Sequence, residues 1–550
     1  MKHVCATAAL FLAALSCQAV GFLHARGQDI VDEQGNRVML RGVGLGNWML
    51  PEGYMWRFGG GADRPRRIEK VVSDLIGPKE AAMFWREYRS NYVTDRDIAR
   101  IAALGFNSVR PALDARLFLT EGDSPRDVQE GYDLLDNLVA SCAQHGVYVI
   151  IDMHAAPGGQ TGQNIDDSAD DQPRLFMEKE EQDRLVNLWV EIARRYAGQP
   201  AVAGYDLLNE PLPRRTGAEE KYKAQLQPLY ERITRAIRQV DPRHMVTVEG
   251  ADWANDWSAF TPPAFTSNVV YQFHYYCWDQ PVKLKGIGNY LAFRDKVDAP
   301  VWVGETGEAN DAIYWGTTEY FESKNIGWSF WPWKKMEARN GIYSIKAPPH
   351  WDDITAFTRG EGKPSPETAR QAFAGLLENV KIENCRFSED VVNSLLHRAP
   401  VRMEAEDYGQ GGLGHGYSVK DPDFRAKQYR TSEPVPIEST GEGGSGRNRG
   451  GQAIELKAGE WTAYTINALS SQDLTLTVRA RNESQAGAST MEININTRPL
   501  TVSLTTNKWT AMEVSSISLH EGENRVKVSV TAGAAGLDWL DFEPPVATRQ

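Results

Sequence analysis

Short apolar runs alternate with amphipathic segments between about residue 36 and residue 335 of the chain. Within these runs the apolar residues do not alternate with polar ones, which is typical of strands buried on both faces, as in a parallel sheet. The candidate strands are residues 38–46, 105–113, 148–154, 202–209, 245–250, 269–276, 300–304 and 327–333. Most of them are separated by a helix-sized segment, so the pattern predicts eight strands that alternate with helices.

The intervening segments carry clear helix signals. Leu185, Leu188 and Ile192 recur at helical spacing. Thr94 and Asp97 form a capping-box pattern at the start of another helix. Eight strands with such helices predict an α/β fold, the (β/α)8 or TIM barrel, for which about 350 residues is an acceptable length with insertions. A doubly wound sheet is the alternative.

The pattern changes beyond about residue 399, where apolar and polar residues alternate strictly. Leu474, Leu476 and Val478 alternate with polar neighbours, and the same period of two returns later in the chain. With Gly- and Asn-rich connections, this predicts a small antiparallel β-sandwich of the jelly-roll kind. We therefore expect a barrel domain over residues 22–381, a linker over 382–400 and a sandwich over 401–545.

The first residues have the pattern of an export signal. Lys2 and His3 precede an apolar run over residues 4–15, and small residues follow at Ala19 and Gly21. The run is too short to cross a bilayer comfortably. It predicts a signal peptide over residues 1–21 and secretion, either extracellular or periplasmic. Cys17 leaves a lipoprotein anchor as the alternative.

Composition narrows the class of partner. The 550 residues carry a formal charge of −13, with 41% hydrophobic and 24% charged residues. These values are ordinary for a soluble globular protein, and the negative charge argues against nucleic acid or an anionic membrane as partner. A neutral polysaccharide or oligosaccharide fits this charge, and we expect a monomer. Outside the signal, Cys142, Cys277 and Cys385 can form at most one disulfide, and their spacing matches no metal motif.

Polar residues end most of the predicted strands, and in a barrel of this kind the chemistry lies at the strand ends. They are Arg110, His154, Asn209, Glu210, Glu249, His274, Tyr276, Glu305 and Trp331. Glu210 and Glu305 each close an apolar run. Hydrolysis of a glycosidic bond needs two carboxyl groups, one to protonate the leaving oxygen and one to attack or stabilise the anomeric carbon. Glu308 is the alternative to Glu305, and Glu249 is a candidate supporting or subsite residue.

Six motifs occur in one order across about 300 residues and together resemble glycoside hydrolase family 5, which belongs to a clan of retaining β-glycosidases. They are Gly105-Phe106-Asn107-Ser108-Val109-Arg110, Asp152-Met153-His154, Leu208-Asn209-Glu210-Pro211, His274-Tyr275-Tyr276, Gly304-Glu305 and Gly327-Trp328-Ser329-Phe330-Trp331.

The resemblance implies a role for each matching residue. Glu210 would be the acid/base and Glu305 the nucleophile, with the two carboxyl groups roughly 5–5.5 Å apart. Asn209 would hold the substrate 2-hydroxyl. Arg110 and Tyr276 would hydrogen-bond Glu305 and keep it ionised. His154 and His274 would line the bound sugar, and Trp331 would stack beneath it. No cofactor is implied for catalysis.

The substrate is less closely defined. Arg41-Gly42-Val43-Gly44-Leu45-Gly46-Asn47-Trp48 resembles the branch that includes exo-acting β-1,3-glucanases, whereas Thr306-Gly307 stands where that branch usually has tryptophan. Insertions over residues 51–87 and 157–177 favour a short pocket. We interpret the acidic run over residues 166–171 as a solvated loop rather than a metal site.

Three further motifs resemble the family 6 and 35 carbohydrate-binding modules: Met403-Glu404-Ala405-Glu406-Asp407-Tyr408, Gly459-Glu460-Trp461-Thr462-Ala463-Tyr464 and Leu537-Asp538-Trp539-Leu540-Asp541-Phe542. Such modules usually hold a structural calcium, and Glu404, Glu406 and Asp541 would be its oxygen ligands. Ala535-Gly536 stands where the family often carries an asparagine that binds glycan. We therefore expect the module to bind an unusual or charged glycan, to bind by another face, or to serve only as a packing partner.

Together these features predict a secreted retaining β-glycosidase that hydrolyses β-1,3- or β-1,4-linked glucan by double displacement. The alternatives are a hydrolase or transglycosylase acting on mannan or a glucosyl conjugate, and a non-catalytic glycan-binding protein. The last is disfavoured because binding alone does not need an acid paired with a nucleophile.

Overall fold

The computed structural model describes residues 20–122, 124–277, 284–309, 311–427, 429–441 and 451–545. All eight predicted strands are present, with bounds that differ by a few residues from the prediction. They are β1 Arg41–Leu45, β2 Ser108–Asp114, β3 Tyr148–Ala155, β4 Val202–Asp206, β5 Met245–Glu249, β6 Val269–Tyr276, β7 Val301–Gly307 and β8 Gly327–Trp331. Each pairs in parallel with the next, and β8 pairs with β1. The sheet is therefore a closed barrel, which confirms the TIM barrel and excludes the doubly wound alternative.

Helices cover the outside of the barrel and fill its insertions. They are α1 Pro65–Ile76, α2 Pro78–Tyr92, α3 Asp95–Leu104, α4 Gln129–His145, α5 Arg174–Met177, α6 Lys179–Tyr196, α7 Ala218–Tyr222, α8 Leu226–Ile237, α9 Gly288–Val297, α10 Asp311–Ser323, α11 Trp351–Thr358, α12 Pro366–Asn379 and α13 Glu389–Leu395. The predicted capping box is confirmed, since Thr94 and Asp97 satisfy each other's backbone amides at the start of α3.

The strands from β2 to β5 are buried at every position. Helices exclude water from their outer faces and side chains fill the barrel, which is why their sequences show no alternation. Charged residues such as Arg110, Asp152 and Asp206 are nevertheless buried within these strands. A buried charge is costly unless it is paired, so these residues must meet one another inside the barrel.

The segment over residues 382–400, which we predicted to be a linker, is folded and packed against the barrel. Residues Arg386–Phe387 pair with a short strand at Tyr343–Ile345. Helix α13 follows, and its Val391, Val392 and Leu395 belong to the hydrophobic core of the barrel domain. A helix of seven residues is too short for its periodicity to be recognised in the sequence.

The C-terminal region forms two antiparallel sheets, as the alternation predicted. Its strands are β9 Val401–Glu404, β10 Tyr417–Ser418, β11 Ile437–Ser439, β12 Gln452–Lys457, β13 Trp461–Ala468, β14 Gln472–Asn482, β15 Ser489–Ile495, β16 Arg498–Leu504, β17 Thr510–Leu519, β18 Gly522–Ala532 and β19 Ala534–Glu543. One sheet has the order β11-β12-β19-β14-β17, with β9 also paired to β19, and the other has the order β10-β13-β18-β15-β16. The alternating apolar residues of β14, β15 and β18 form the core between them.

The barrel and the sandwich contact each other through α10. Trp315 of this helix belongs to the sandwich core, and its ring lies 4.8 Å from that of His397. The backbone of Asn467 in the sandwich exchanges hydrogen bonds with His397 and Ala399. A Cβ atom at Gly316 would come within 2.3 Å of the Asp407 carboxylate, so this helix approaches the sandwich closely.

Among the residues described, no helix is long and apolar enough to cross a membrane. The predicted signal peptide lies almost entirely outside the described residues, which begin at residue 20. Within the described part of the chain, Cys142, Cys277 and Cys385 are thiols that form no disulfide.

Candidate active site

The nine polar residues singled out at the strand ends converge at the C-terminal end of the barrel. Each is buried to at least nine-tenths except Tyr276, which is half-buried. They come from seven different strands or the turns that follow them, so the site is assembled from segments that are distant in the sequence. The parallel barrel brings them together because all its strands end on the same face.

Glu305 accepts hydrogen bonds from both partners expected for it. The Arg110 guanidinium donates to Oε1 over 2.7 Å, and the Tyr276 hydroxyl donates to Oε2 over 2.7 Å. Burial nevertheless raises the pKa of Glu305, and the positive charges of His274 and Arg110 oppose this rise without cancelling it. We expected Arg110 to keep the carboxylate ionised, but its charge is shared among several acids.

Those acids form a buried layer beneath the catalytic pair. Arg110 contacts the carboxylates of Asp152, Asp206, Glu249 and Glu305 at 2.7–3.2 Å. Burial raises the pKa of Asp152 and of Asp206 to about 8, although Arg110 opposes the rise. The two aspartates thus hold protons near neutral pH, which reduces the number of negative charges that one guanidinium must balance. The sequence alone did not indicate Asp206.

Glu210 has a strained backbone, with φ of +43°. Its amide nitrogen donates to Oε2 of Glu249 over 2.6 Å, and its carboxylate Oε1 lies 2.6 Å from Nδ1 of His274. Non-glycine residues adopt positive φ only where the surroundings impose it, which is common at catalytic turns. Glu249, which ends β5, therefore holds the backbone that carries Glu210.

His274 lies between the two catalytic carboxyl groups. Its Nδ1 is 2.6 Å from Glu210 and 3.5 Å from Glu305, and its Nε2 is 3.3 Å from Glu249. Burial would lower the pKa of His274, but the three surrounding glutamates outweigh it and raise the pKa well above the usual value. His274 is thus a second buried cation at the centre, a role that our sequence reading did not give it.

The separation of the two carboxyl groups identifies the stereochemical course. One carboxylate oxygen of Glu210 and one of Glu305 lie within 4.8 Å of each other and of His274. Retaining glycosidases hold the two groups about 5–5.5 Å apart, whereas inverting enzymes need about 6.5–9.5 Å for an intervening water. The geometry is that of a retaining enzyme.

Two rings form the floor of the site. Trp331 and His154 stack with 4° between their planes and 5.2 Å between their centroids. The Asn209 amide donates to Nε2 of His154, so the proton of this imidazole is on Nδ1 and is donated to Asp152 over 2.7 Å. Burial lowers the pKa of His154 to about 4, which keeps the ring neutral.

A cavity of about 650 Å³ lies above these residues. The insertion over residues 51–87 contributes Glu52 and Tyr54 to its wall, and that over residues 157–177 contributes Asn164 and Ile165. Tyr54 accepts a hydrogen bond from Trp331 over 3.0 Å. Both predicted insertions thus line the pocket. Sequence reasoning missed Glu52, although this acid follows directly on the Trp48 motif; burial raises its pKa well above the usual value.

The acidic run over residues 166–171 is only in part the solvated loop that we predicted, since residues 169–171 are exposed and residues 166–168 are buried. Asp166 is fully buried and accepts hydrogen bonds from the amides of Thr161, Gly162 and Ser168. Asp167 forms ion pairs with Arg66 of the first insertion and with Arg116, which follows β2. These contacts tie the second insertion to parts of the chain that are distant in sequence.

Comparison with known proteins agrees with this geometry. Residues 76–337 match the family model described as Cellulase (glycosyl hydrolase family 5). This part of the chain is a glycosyl hydrolase family 5 domain. The protein is thus a glycosidase that acts on O-glycosyl bonds.

Two relatives of the chain are a β-xylosidase of Phanerodontia chrysosporium and a probable glucan 1,3-β-glucosidase A of Aspergillus clavatus. The first is 28% identical over 366 residues, covering 60% of this chain and 74% of its own. The second is 26% identical over 320 residues, covering 55% and 72%. Among solved structures, rutinosidase from Aspergillus niger is 18% identical with a TM-score of 0.44, covering 55% of this chain and 91% of its own.

The calcium ligands expected in the sandwich do not all come together. Among the residues that the structure describes, only Glu210, His274 and Glu305 bring three acidic, His or Cys donor atoms within 4.8 Å of one another. Asp541 pairs across the ladder with Arg402. The pairing of β19 with β14 shifts register beside Asp538, and Leu537 and Leu540 both belong to the sandwich core, so strand alternation does not separate Asp538 from Asp541.

The remaining acids do form a buried group, which we call the sandwich acid cluster: Glu404, Glu406, Asp407 and Asp538. Burial raises the pKa of Glu406 well above its usual value, with Glu404, Asp407 and Asp538 adding to the rise. Oε2 of Glu406 is buried without a hydrogen-bond partner. Hard cations such as calcium prefer carboxylate oxygens of this kind, so the chemistry of the donors suits such an ion, while no three of their atoms lie within 4.8 Å of one another.

Proposed function

We propose that the protein is a secreted, monomeric, retaining β-glycosidase that removes terminal glucosyl units from a β-1,3- or β-1,4-linked glucan. The observation that carries this proposal is the placement of Glu210 and Glu305, with carboxylate oxygens no more than 4.8 Å apart, at the base of a walled pocket. Neither a binding protein nor an inverting enzyme requires that spacing.

In the first step Glu305 attacks the anomeric carbon and Glu210 gives its proton to the leaving glycosidic oxygen. A covalent glycosyl-enzyme forms as the bond to the leaving group breaks. Arg110 and Tyr276 hold the attacking carboxylate in line through their hydrogen bonds to its two oxygens. This orientation matters because the reacting atoms must meet at the correct angle and distance.

In the second step a water molecule takes the place of the departed sugar. Glu210, now a carboxylate, accepts a proton from the water as it attacks the anomeric carbon, and Glu305 leaves. Two inversions at the same carbon restore the β configuration. Asn209 binds the 2-hydroxyl, while His154 and Trp331 support the sugar ring from the stacked floor.

The walls of the pocket support removal of terminal units rather than internal cleavage. Glu52, Tyr54 and Asn164 come from two separate insertions and all line the same cavity. A polymer that must run through an open groove would need both ends of the site free. One relative carries the name glucan 1,3-β-glucosidase, which agrees with action on terminal glucose.

A β-xyloside is the second candidate substrate. The β-xylosidase relative is similar over 366 residues, a longer match than the first glucan 1,3-β-glucosidase. Xylose lacks the hydroxymethyl group of glucose, so the two sugars differ at one position of the pocket. The ratio of kcat/KM for aryl β-glucoside to that for aryl β-xyloside decides between them.

The decisive experiment sizes the products from β-1,3-glucan, mixed-linkage β-glucan, cellulose and mannan. We expect a monosaccharide from one glucan, retention of configuration by NMR, and no release by the Glu305→Gln variant. A 2-deoxy-2-fluoro-glucoside should label Glu305 in the parent, and Glu308→Gln is the matched control that should still be labelled. Labelling of Glu308, or an oligosaccharide ladder, would contradict the proposal.

We also propose that calcium binds at the sandwich acid cluster through Glu404, Glu406 and Asp541, the ligands that the motifs imply. The fit rests on the buried Oε2 of Glu406, which lacks a partner, and on the acids around it. Such an ion would stabilise the sandwich by neutralising carboxylates that burial otherwise disfavours.

A further inference from the structure

A second cavity of about 690 Å³ is lined by four cationic side chains, and we call it the basic basin. They are Arg57, Arg339, Lys346 and Arg386. Glu337 is the one acid among its lining residues, and Ser344 and Asn384 add neutral hydrogen-bonding groups. Four cations around one cavity are notable in a chain whose formal charge is −13.

These cations are poorly neutralised by the protein itself. Within the described part of the chain, Arg339 and Lys346 have no carboxylate within 4.0 Å, the limit that defines an ion pair. Arg57 is 3.9 Å from Asp352, whose side chain is 90% exposed. Arg386 donates to the backbone oxygen of Ala338. Like charges held together repel one another, so the basin favours an anion that enters from outside.

The basic basin adjoins the catalytic pocket. Tyr54 lines the catalytic pocket, and Arg57, which ends the 3₁₀ turn Gly53–Trp56 three residues later, lines the basin. Lys335 lies 5.3 Å from the Tyr54 ring, and Glu337 of the basin follows it by two residues. One wall, formed by this turn and the strand Lys334–Met336, therefore separates the two cavities.

We propose that the basic basin binds a carboxylate carried by the glycan, so that the enzyme prefers β-linked substrates with an acidic sugar beyond the cleaved unit. Guanidinium groups bind planar carboxylates through paired hydrogen bonds, and Lys346 adds a mobile point charge. Ser344 and Asn384 are suited to hydroxyl groups of the same sugar. This inference rests on the proposed glycosidase function, because the anion is placed on its substrate.

The test uses a matched pair of substrates, a neutral β-glucan oligosaccharide and the same oligosaccharide oxidised to a carboxylate at C6 of one internal sugar. For the parent enzyme we expect KM to be about tenfold lower for the oxidised form. In the double variant Arg339→Ala/Lys346→Ala the ratio of the two kcat/KM values should fall to about one. The control Lys363→Ala/Arg498→Ala removes two exposed cations elsewhere and should keep the tenfold preference.

Added salt tests whether the preference for the oxidised substrate is electrostatic, and a free anion tests whether the basin binds the sugar or any anion. The preference should vanish near 1 M salt, where the Debye length is about 3 Å. Calorimetry should show that the oxidised oligosaccharide binds to the Glu305→Gln variant about tenfold more weakly when Arg339→Ala and Lys346→Ala are added to it. Inorganic sulfate is the competing probe. If sulfate binds in a way that depends on Arg339 and Lys346 while the oxidised sugar gains nothing, the basin is a free-anion site and the proposal is overturned.

The two proposals fail in different ways. If the neutral oligosaccharide is cleaved but oxidation gives no advantage, the acidic-substrate inference is wrong and the glycosidase function stands. If neither oligosaccharide is cleaved and aryl glycosides are also inert, the proposed function is wrong. Calorimetry on the Glu305→Gln variant reports on the basin in both cases, because binding does not require turnover.

Discussion

The catalytic centre and the sandwich acid cluster both bury several carboxyl groups, but they differ in the positive charge that meets them. At the barrel centre Arg110 contacts Glu249 and Glu305, and His274 lies close to Glu210, Glu249 and Glu305. Burial raises the pKa of Asp152 and of Asp206 to about 8, so these two carboxyl groups add little negative charge near neutral pH. The cations that meet the buried acids there are supplied by the protein itself.

In the sandwich acid cluster the protein's own cations are directed elsewhere. Arg479 reaches Asp538, but Arg430 donates to the backbone oxygen of Tyr408 and pairs with Glu433. One oxygen of Glu406 has no partner at all. A buried acid without a cation must take up a proton or bind a metal ion. The centre should therefore respond to loss of a protein side chain, and the cluster to pH and metal.

Removal of Arg110 should have the largest effect on this balance. Arg110→Met keeps the length of the side chain but leaves Glu249 and Glu305 facing each other without their guanidinium. We expect a loss of about 3–5 kcal/mol in the free energy of unfolding and of about 10³-fold in kcat/KM. Urea unfolding and aryl glycoside hydrolysis measure the two.

Arg96→Met is the matched control for that variant. Arg96 pairs with Glu383 at the surface, where an ion pair contributes under about 1 kcal/mol. Equal stability of the two variants would show that the buried layer does not depend on its guanidinium, and the comparison between the two regions would fail.

Glu210→Ala should have the next largest effect, and one that depends on the leaving group. A poor alkyl leaving group needs a proton, so its release should slow by about 10²–10⁴-fold. A nitrophenolate needs none, so formation of the glycosyl-enzyme should be nearly unaffected. Pre-steady-state kinetics separate the two steps. Equal losses for both substrates would contradict the role of Glu210 as the proton donor.

The fold of the barrel and the members of the catalytic pair could be predicted because they depend on local features. Burial on both faces is visible in any single strand, and a barrel places all strand ends together. The sequence could not show which cation meets which acid. The partners of Asp166 and Asp167, and the shared contacts of Arg110, are set by residues distant along the chain.

The same limit applies to the acids of β19. The spacing of Asp538 and Asp541 alone predicts opposite faces of the strand. The register shift beside Asp538, which the sequence does not show, instead places both Leu537 and Leu540 in the sandwich core. The folded segment over residues 382–400 was missed for a related reason, since a seven-residue helix gains most of its stability from packing.

Calcium should affect the sandwich acid cluster and leave the barrel centre unchanged. If calcium is present at about 100 times its Kd, chelation should remove about 2.7 kcal/mol of stability and lower Tm. In Glu406→Gln and in Asp541→Asn the chelator should have little further effect on Tm. Calorimetry of each variant with calcium or EDTA measures this. A response to EDTA that both variants keep would contradict the proposed ligands.

The smallest expected effect lies where the two regions meet. Burial raises the pKa of Glu319 on α10 to about 8, with Arg430 opposing the rise and Asp407 adding to it. The folded state then holds a proton that the unfolded chain releases, so stability falls as pH rises from about 4.5 to about 8. Glu319→Gln removes this penalty and should gain a few degrees in Tm, relative to the parent, between pH 5 and pH 9.

Glu322 of the same helix is a control of opposite sign. Burial acts to raise its pKa, but the paired hydrogen bonds from Arg41, of 2.7 and 2.8 Å, lower it. An acid with a lowered pKa stabilises the fold at higher pH, so Glu322→Gln should lose stability relative to the parent as pH rises through the range in which that carboxyl ionises. If the stabilities of the two variants changed with pH in the same direction, contact with an arginine would not be the feature that distinguishes these two buried acids.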